Sequence, residues 1–555
     1  MTAPSSALPP ESATSSSNRG LGFGLCLALY LVAFNISVIP PIMPLLVKGL
    51  DSSVGYVQGA LVLISLVTAA FTPTSENLGR HYGRKPVFIG GLILFLCATA
   101  AAIASPNISV FVLTYSLVGG LAATPLVSTP WAWMERFYGD SAEKNAFLSL
   151  TLSGVFGSLS GSLIGGALAS QFGWRAAFLP EFLLVVVILL LVRRTPKSSS
   201  GEITPTLWVG GCLSFAGLAL ILFGTSLGSE YGWWRPKQVF TLGEWVIPPF
   251  SLSIVPPLLA AGLIFLGLYV YWQQWQRQRG QASLFRVGLL QRRTFQMGLA
   301  TSTLHAGVSA GLQFNLFQFL PAVAGSNPLQ TALTVIPYPL TNLVVLILSI
   351  KVLKLEDKFP SRWILQTGLV LFAAGIFGVA QLIDADMGTL RLVPVLMIMG
   401  VGSGLVLSQV ARLTYTAARP GERSEASGVY RPSQNLGQSL GRAVLGSLLI
   451  AIASIKIVDQ TITQLGGVVT ALQRQEAITT LEQVFFTFDR AERQDFFQQL
   501  SPKVQEALGQ VGTDAAVSAM GITLQVAFVL TLIALGFASQ LPKYRTPPEK
   551  MSASQ

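Results

Sequence analysis

Residues 76–95 read Glu-Asn-Leu-Gly-Arg-His-Tyr-Gly-Arg-Lys-Pro-Val-Phe-Ile-Gly-Gly-Leu-Ile-Leu-Phe, a short basic loop between two apolar runs. The pattern returns at 355–372 as Leu-Glu-Asp-Lys-Phe-Pro-Ser-Arg-Trp-Ile-Leu-Gln-Thr-Gly-Leu-Val-Leu-Phe. Laid together, Leu78 meets Leu355, Arg80 meets Asp357, Tyr82 meets Phe359 and Lys85 meets Arg362. Gly91, Leu92, Leu94 and Phe95 meet Gly368, Leu369, Leu371 and Phe372. A loop repeated between pairs of apolar runs predicts two similar halves.

The chain around this loop is 555 residues long, 51% hydrophobic and only 11% charged. A soluble domain carries about 25% charged residues. The apolar residues fall in long runs, which predicts a polytopic helical membrane protein. The net charge of +11 does not predict nucleic-acid binding, because the basic residues lie in loops between apolar runs. Cys26, Cys97 and Cys212 sit inside such runs, which argues against a disulfide framework. Residues 1–19 are rich in Ser, Pro and Thr and read as a disordered tail, with no cleavable signal peptide evident.

Crossing a bilayer core of about 30 Å takes about 20 apolar residues. Runs of that kind lie near 21–47, 55–75, 86–104, 108–133, 146–170, 174–192, 205–227 and 251–273. Six more lie near 294–321, 329–350, 363–383, 391–411, 433–455 and 516–540. The expected organisation is a six-span bundle over 20–195, two inserted spans over 196–275, a second bundle over 276–541 and a tail at 542–555. Cytoplasmic loops attract Lys and Arg. With the N-terminus inside, the inner loops hold 21 of these residues, and the short outer loops hold Lys48, Arg175, Arg235, Lys237 and Arg391. Both termini are therefore expected in the cytoplasm of a plasma membrane, or of the inner membrane in a Gram-negative cell. The segment 456–515 then lies outside. Its Leu481, Val484, Phe485, Phe488, Phe496 and Phe497 recur at roughly helical spacing. That predicts amphipathic helices on the outer membrane surface or over a transporter mouth, or a docking surface for an extracytoplasmic protein.

Two further runs carry small residues at four-residue spacing, a flat face that lets helices approach closely. One is Gly157-Ser-Leu-Ser-Gly161-Ser162-Leu-Ile-Gly165-Gly166. The other is Gly437-Gln-Ser-Leu-Gly441-Arg442-Ala-Val-Leu-Gly446, which aligns Gly437 with Gly157, Gly441 with Gly161 and Arg442 with Ser162.

The loop at 76–86 resembles the G-x-L-a-D-R-x-G-R-K motif of the major facilitator superfamily through Leu78, Gly83, Arg84 and Lys85. Glu76 and Arg80 stand where that motif has Gly and Asp. The glycine run of the fifth span resembles the superfamily's antiporter motif, with Ser162 in place of Pro. Gly232-Trp233, the segment Leu284 to Phe295 and the segment Leu329 to Pro337 resemble the fourteen-span drug–proton antiporter branch. The resemblance implies an all-α integral membrane fold of two six-helix bundles plus two inserted central spans. It also implies export of small amphipathic compounds by proton-coupled alternating access. Two departures stand out: Asn35 occupies the place of an Asp in the first span, and Leu113–Gly120 has no Arg in the fourth. Glu181 stands where the sixth-span pattern often has Asn. An uptake permease, or a receptor or assembly protein that kept the fold, is the alternative.

Ionisable groups inside a bilayer are costly and therefore candidates for function. Glu181 is either a coupling group or a scaffold carboxylate paired with Arg175. Glu135 reads as a cap of the cytoplasmic mouth or a coupling group. His305 shares a helix stripe with Thr301, Ser309 and Gln313, read as helix–helix glue or a cavity wall. Gln434, Gln438 and Arg442 form a similar stripe. Arg442 lies about 16 Å along a helix from Arg431, near mid-membrane. It reads as a clamp between helices or as a cationic centre for an acidic substrate group. Asn35, Gln58, Trp131, Trp133, Gln313, Asn342 and Gln409 complete the expected lining of a polar and aromatic cavity. Glu76, Arg80, Gly83, Arg84, Lys85, Asp357 and Arg362 form the expected cytoplasmic gate. No nucleophile–base pair, metal-ligand cluster or phosphate cradle appears in the sequence. The expected partners are a small-molecule substrate, protons and lipid, with no enzyme activity, cofactor or metal.

Overall fold

In a computed structural model, the structure describes residues 15–52, 54–137, 140–193, 206–234, 236, 240–242, 245–247, 251–279, 287–384, 389–418, 423–466, 469–486 and 490–543. Most of both expected tails and the loop at 194–205 lie outside the described residues.

The first half holds α1 (Ser15–Gly49), α2 (Val54–Tyr82), α3 (Arg84–Ile103), α4 (Ile108–Phe111), α5 (Gly119–Phe137), α6 (Asp140–Phe172) and α7 (Leu179–Arg193). A π-helical stretch, Val112–Val118, joins α4 to α5, and a 3-10 turn, Trp174–Phe178, leads into α7. Next come α8 (Thr206–Tyr231) and α9 (Val255–Gln278), with a two-residue strand pair, Thr241–Leu242 against Trp245–Val246, between them. The second half holds α10 (Val287–Leu290), α11 (Arg293–Ala324), α12 (Pro328–Val335), α13 (Pro337–Ile347), α14 (Leu355–Lys358), α15 (Ser361–Leu382) and α16 (Val393–Tyr415). It continues through α17 (Arg423–Leu465), α18 (Ala471–Phe486), α19 (Arg490–Gln499) and α20 (Pro502–Ala538). A helix or linked pair of helices covers each of the apolar runs. Among the described residues, eleven are long and apolar enough to cross a membrane. The apolar stretches Tyr56–Thr72 and Val209–Thr225 are shorter.

An all-helical build follows from the solvent. In hydrocarbon every backbone N–H and C=O needs a partner within the segment, and a helix supplies it. Side chains then sort between lipid and neighbouring helices. On α7, Leu183, Val186 and Leu190 are exposed, while Val185, Ile188 and Val192 are buried. Each half has its own core. One cluster runs through Phe34, Ile39, Phe111 and Phe178. Another runs through Leu316, Phe372, Met399 and Leu524.

The glycine faces explain how each bundle closes. A Cβ at Gly161 would sit 2.5 Å from the Phe34 carbonyl, one at Gly157 would strike the Tyr30 carbonyl, and one at Gly165 would press on Val38. So α6 packs backbone-to-backbone on α1. In the second half a Cβ at Gly437 would strike the Thr303 carbonyl, and one at Gly441 the Gly307 carbonyl. So α17 packs on α11 in the same way. The basic loops match as well. Lys85 Nζ donates to the Arg193 carbonyl at the end of α7 (3.1 Å), and Arg362 Nη1 donates to the Leu541 carbonyl just past α20 (3.3 Å). Each loop thus ties to the last helix of its own half.

The segment 456–515 is mostly helical among the described residues. α17 runs unbroken to Leu465 and α20 starts at Pro502, so both ends of 456–515 are continuations of long helices. α18 folds back on them. Leu481 and Val484 are buried, and Ile478 and Leu481 pack with Ile457, Val458 and Ala515. Arg474 grips Asp459 through two hydrogen bonds of 2.6 and 2.8 Å. Phe488 lies outside the described residues.

Candidate functional site

Two buried polar clusters lie inside the bundle. The first is in the first half, where α1, α3 and α7 meet. Gly173, at φ +86°, makes the sharp turn after α6 that a Cβ would strain, and the 3-10 turn then carries the chain into α7. Glu181 falls in the first turn of α7 and is 0% exposed. Asn35 Nδ2 donates to both of its oxygens, at 2.9 and 3.1 Å. Thr99 Oγ1 donates to Oε2 at 3.0 Å. Arg175 turns away from it and donates to the carbonyls of Ile103 (2.9 Å) and Ser105 (3.1 Å). The scaffold pairing of Glu181 with Arg175 is therefore replaced by a neutral set of donors. The π-helical stretch turns Tyr115 and Ser116 inward, a common use of such bulges. Tyr115 OH donates to the Asn35 carbonyl (3.1 Å) and Ser116 Oγ to that of Ala60 (2.9 Å). Phe111, Trp174 and Phe178 close over this cluster edge-on.

The second cluster joins the halves. α2 from Gln58 to Val67 lies against α17 from Leu436 to Gly446. Arg442 is buried and donates through Nη1 to Ser65 Oγ (2.7 Å) and through Nη2 to Gln438 Oε1 (3.5 Å). Gln58 Nε2 donates to the Arg442 carbonyl (3.1 Å), and Ser439 Oγ donates to that of Val62 (3.1 Å). Tyr115 and Ser116 link the two clusters, one bonded to the Asn35 carbonyl and the next to that of Ala60 on α2. A further contact joins the halves where Gly166 meets the Pro328 carbonyl. These contacts occupy the part of the bundle from its middle to the end that carries Gly49, Trp174 and Pro328.

The other expected residues fall into three groups. Gln434 reaches Ser302 Oγ (2.9 Å), and Asn342 reaches Ser403 Oγ (3.2 Å) beside Tyr338. The His305 stripe faces inward within the second half, with His305 against the Phe372 ring and Ser309 hydrogen-bonded to Tyr338. Gln409 is buried on α16 and reaches only Ser408, and Gln313 is half-buried on α11. At the gate, Gly83 (φ +91°) separates α2 from α3, and Glu356 pairs with Arg412 in the second copy. Glu76, Arg84 and Asp357 lie on α2, α3 and α14. Glu135, Trp131 and Arg80 lie on helices, but their side chains are outside the described residues; Trp133 is buried beside Phe88.

Sequence reading missed Thr99, Tyr115, Ser65 and Ser439. Thr99 and Ser65 are each one small polar residue in an apolar run, the weakest of signals, and Ser439 is masked by the neighbouring Gln438. Only Thr114-Tyr115-Ser116, three polar residues together in mid-span, stood out enough to be found.

The sequence profile of the Major Facilitator Superfamily matches residues 25–442. The "Probable actinorhodin transporter" of Streptomyces coelicolor is 26% identical over 527 residues, covering 90% of this chain and 87% of its own. The "Multidrug efflux pump LfrA" of Mycolicibacterium smegmatis is 25% identical over 429 residues, covering 77% and 80%. The "Cephamycin export protein CmcT" of Amycolatopsis lactamdurans is 26% identical over 452 residues, covering 76% and 82%. Among solved structures, a bacterial homolog of the human lysosomal transporter Spinster, inward-facing and unoccupied, superposes with a TM-score of 0.58 at 16% identity, covering 97% of this chain and 100% of its own. A D-xylose–proton symporter superposes with a TM-score of 0.55 at 12% identity, covering 86% and 98%. The structural likenesses carry the fold and the profile carries the family: the chain belongs to the Major Facilitator Superfamily and is a multi-pass membrane transporter.

Proposed function

We propose that this transporter exports small amphipathic compounds from a bacterial cytoplasm across the plasma membrane, driven by protons, with both termini inside. The relatives named as efflux or export proteins support the direction. The observation that carries the mechanism is the hydrogen-bonded seam between α2 and α17. Three bonds cross it, one of them from a guanidinium. Net values of about 0.5–1.5 kcal/mol for a neutral bond and about 1.5–3 for a charged one put the cost of parting these bonds at roughly 2.5–6 kcal/mol. Swinging a two-state equilibrium from 1:99 to 99:1 takes about 5.5 kcal/mol. A seam of that strength is closed at rest and openable by ligand binding. Arg442 has hydroxyl and amide partners in it, so an acidic substrate group entering the parted seam would gain a charge-assisted bond. The loops of residues 76–86 and 354–362 gate the opposite end, which faces the cytoplasm.

The test is flux in proteoliposomes, with and without an imposed proton gradient. The panel pairs a carboxylated polyaromatic with the lipophilic cation ethidium. The expected result is gradient-dependent transport that prefers the carboxylate. Arg442→Gln should insert normally and lose that preference by about tenfold or more. No gradient dependence for any compound would refute the proton-driven reading, and an unchanged preference in Arg442→Gln would remove Arg442 from substrate recognition.

A further inference from the structure

We propose that Glu181 carries the coupled proton, and that Asn35 is a positioning residue that serves both of its charge states. The inference rests on the proton-driven reading above and assigns the residue that performs it.

Glu181 is a carboxyl group enclosed by protein on every side. A charge at that depth is costly without a partner of opposite sign. Among the described residues no Lys or Arg makes an ion pair with it. Its donors are an amide and a hydroxyl, from Asn35 and Thr99. Such a set can hold the anion, yet leaves it without the countercharge that would lock it in that form.

The neutral acid needs something else, an acceptor for its O–H. The structure holds one in the right place. Asn35 Oδ1 is buried and has no hydrogen-bond partner, while Nδ2 on the same amide faces the carboxylate. The terminal torsion of Asn is broad and roughly two-fold. A half-turn exchanges donor for acceptor. Asn35 thus donates to the carboxylate and, turned over, accepts from the acid. One proton adds to a Glu181 oxygen from one face of the membrane, forming the O–H bond and taking the side chain from −1 to 0. The same bond breaks toward the other face once the halves have rocked.

The surroundings contain few competing groups. From α1, Tyr30 faces this region, but its hydroxyl is engaged by Ser160. From α3, Cys97 is exposed on the outside of the bundle. From the 3-10 turn, Arg175 is bound to backbone carbonyls. From the fourth span, Tyr115 donates to the Asn35 carbonyl. Ser116, the next residue, donates to the Ala60 carbonyl of α2, so one π-helical stretch touches both the carboxyl site and a helix of the seam. Movement of α2 as the seam parts therefore reaches Asn35 through that stretch, which supplies the coupling.

A carboxylate kept only to join helices could be replaced by Gln, which has the same shape and can bond both Thr99 and Asn35. Glu181→Gln in the full-length protein therefore separates the readings. In proteoliposomes it should lose gradient-driven transport of the panel compounds at least tenfold, while retaining substrate exchange without a gradient. Moving the carboxyl across the pair, as Asn35→Asp with Glu181→Asn, should restore part of the gradient response. Infrared titration of the purified protein supplies a readout that needs no substrate: a carboxyl band that titrates in the wild type should vanish in Glu181→Gln. If that variant fails to accumulate, Glu181→Asp should shift the pH profile of flux. Wild-type gradient-driven flux in Glu181→Gln, or an unshifted profile in Glu181→Asp, overturns the proposal. A wild type without gradient-driven flux removes the proton-driven reading instead. The infrared band then decides on Glu181 alone, and its persistence in Glu181→Gln overturns the proton site.

Discussion

At the scale of single residues, helices approach closely where side chains are missing. Gly441 and Gly307 bring α17 and α11 together so tightly that a Cβ on Gly441 would collide with the Gly307 carbonyl. The obstacle is backbone, which has no rotamer to yield, so the helices themselves must separate. Overpacking of this kind costs about 1–3 kcal/mol. Gly441→Ala should lower the melting temperature of the purified protein and reduce its yield from the membrane. Gly90→Ala is the control, because nothing lies within 4 Å of a Cβ there. Equal melting of the two variants would show that the α11–α17 contact is looser than described.

At the scale of elements, α17 is 43 residues long. At 1.5 Å per residue that is about 65 Å, roughly twice the hydrocarbon core. Its last turns and the first turns of α20 therefore stand clear of the membrane, and α18 covers them. Two kinds of contact hold α18, and their weights differ. The Arg474–Asp459 pair has side chains 40% and 41% exposed, so water screens it and it contributes little. Leu481 is buried against Ile457 and its neighbours, and truncating such a residue costs about 2–5 kcal/mol. Amide hydrogen exchange across residues 471–486 should accelerate strongly in Leu481→Ala and hardly at all in Arg474→Ala. The opposite ranking would mean that the ion pair, not the apolar contact, holds the cap.

For the whole molecule, the charge asymmetry of the loops predicts which face is cytoplasmic. In a background with Cys26, Cys97 and Cys212 replaced, an impermeant thiol reagent added to intact cells should label Gln473→Cys and spare Lys358→Cys. Both positions are exposed on the protein. They lie on opposite sides of the expected membrane. Labelling of Lys358→Cys alone would invert the topology and, with it, the assignment of the gated end.

The sequence by itself determined that the chain is a helical membrane protein of two related halves. Hydrocarbon leaves little freedom in how a long apolar run is built, and a repeat is legible without any contact being known. It also named Asn35, Glu181, Gln58 and Arg442, because a polar group in an apolar run is visible at once. The tertiary structure alone decided what these groups are to one another. Asn35 and Glu181 are 146 positions apart and share a hydrogen bond; Gln58 and Arg442 are 384 apart and meet across the seam. Arg175, six residues from Glu181, is the partner that proximity in sequence suggested, yet it turns to the α3 terminus. Nor could spacing reveal that the apolar residues of α18 face α17 and not lipid. Periodicity reports that a helix has an apolar face. Which surface covers that face depends on how distant helices pack, and that packing is set in places by backbone contacts between glycines more than a hundred residues apart, such as Gly307 and Gly441, and everywhere by the whole bundle.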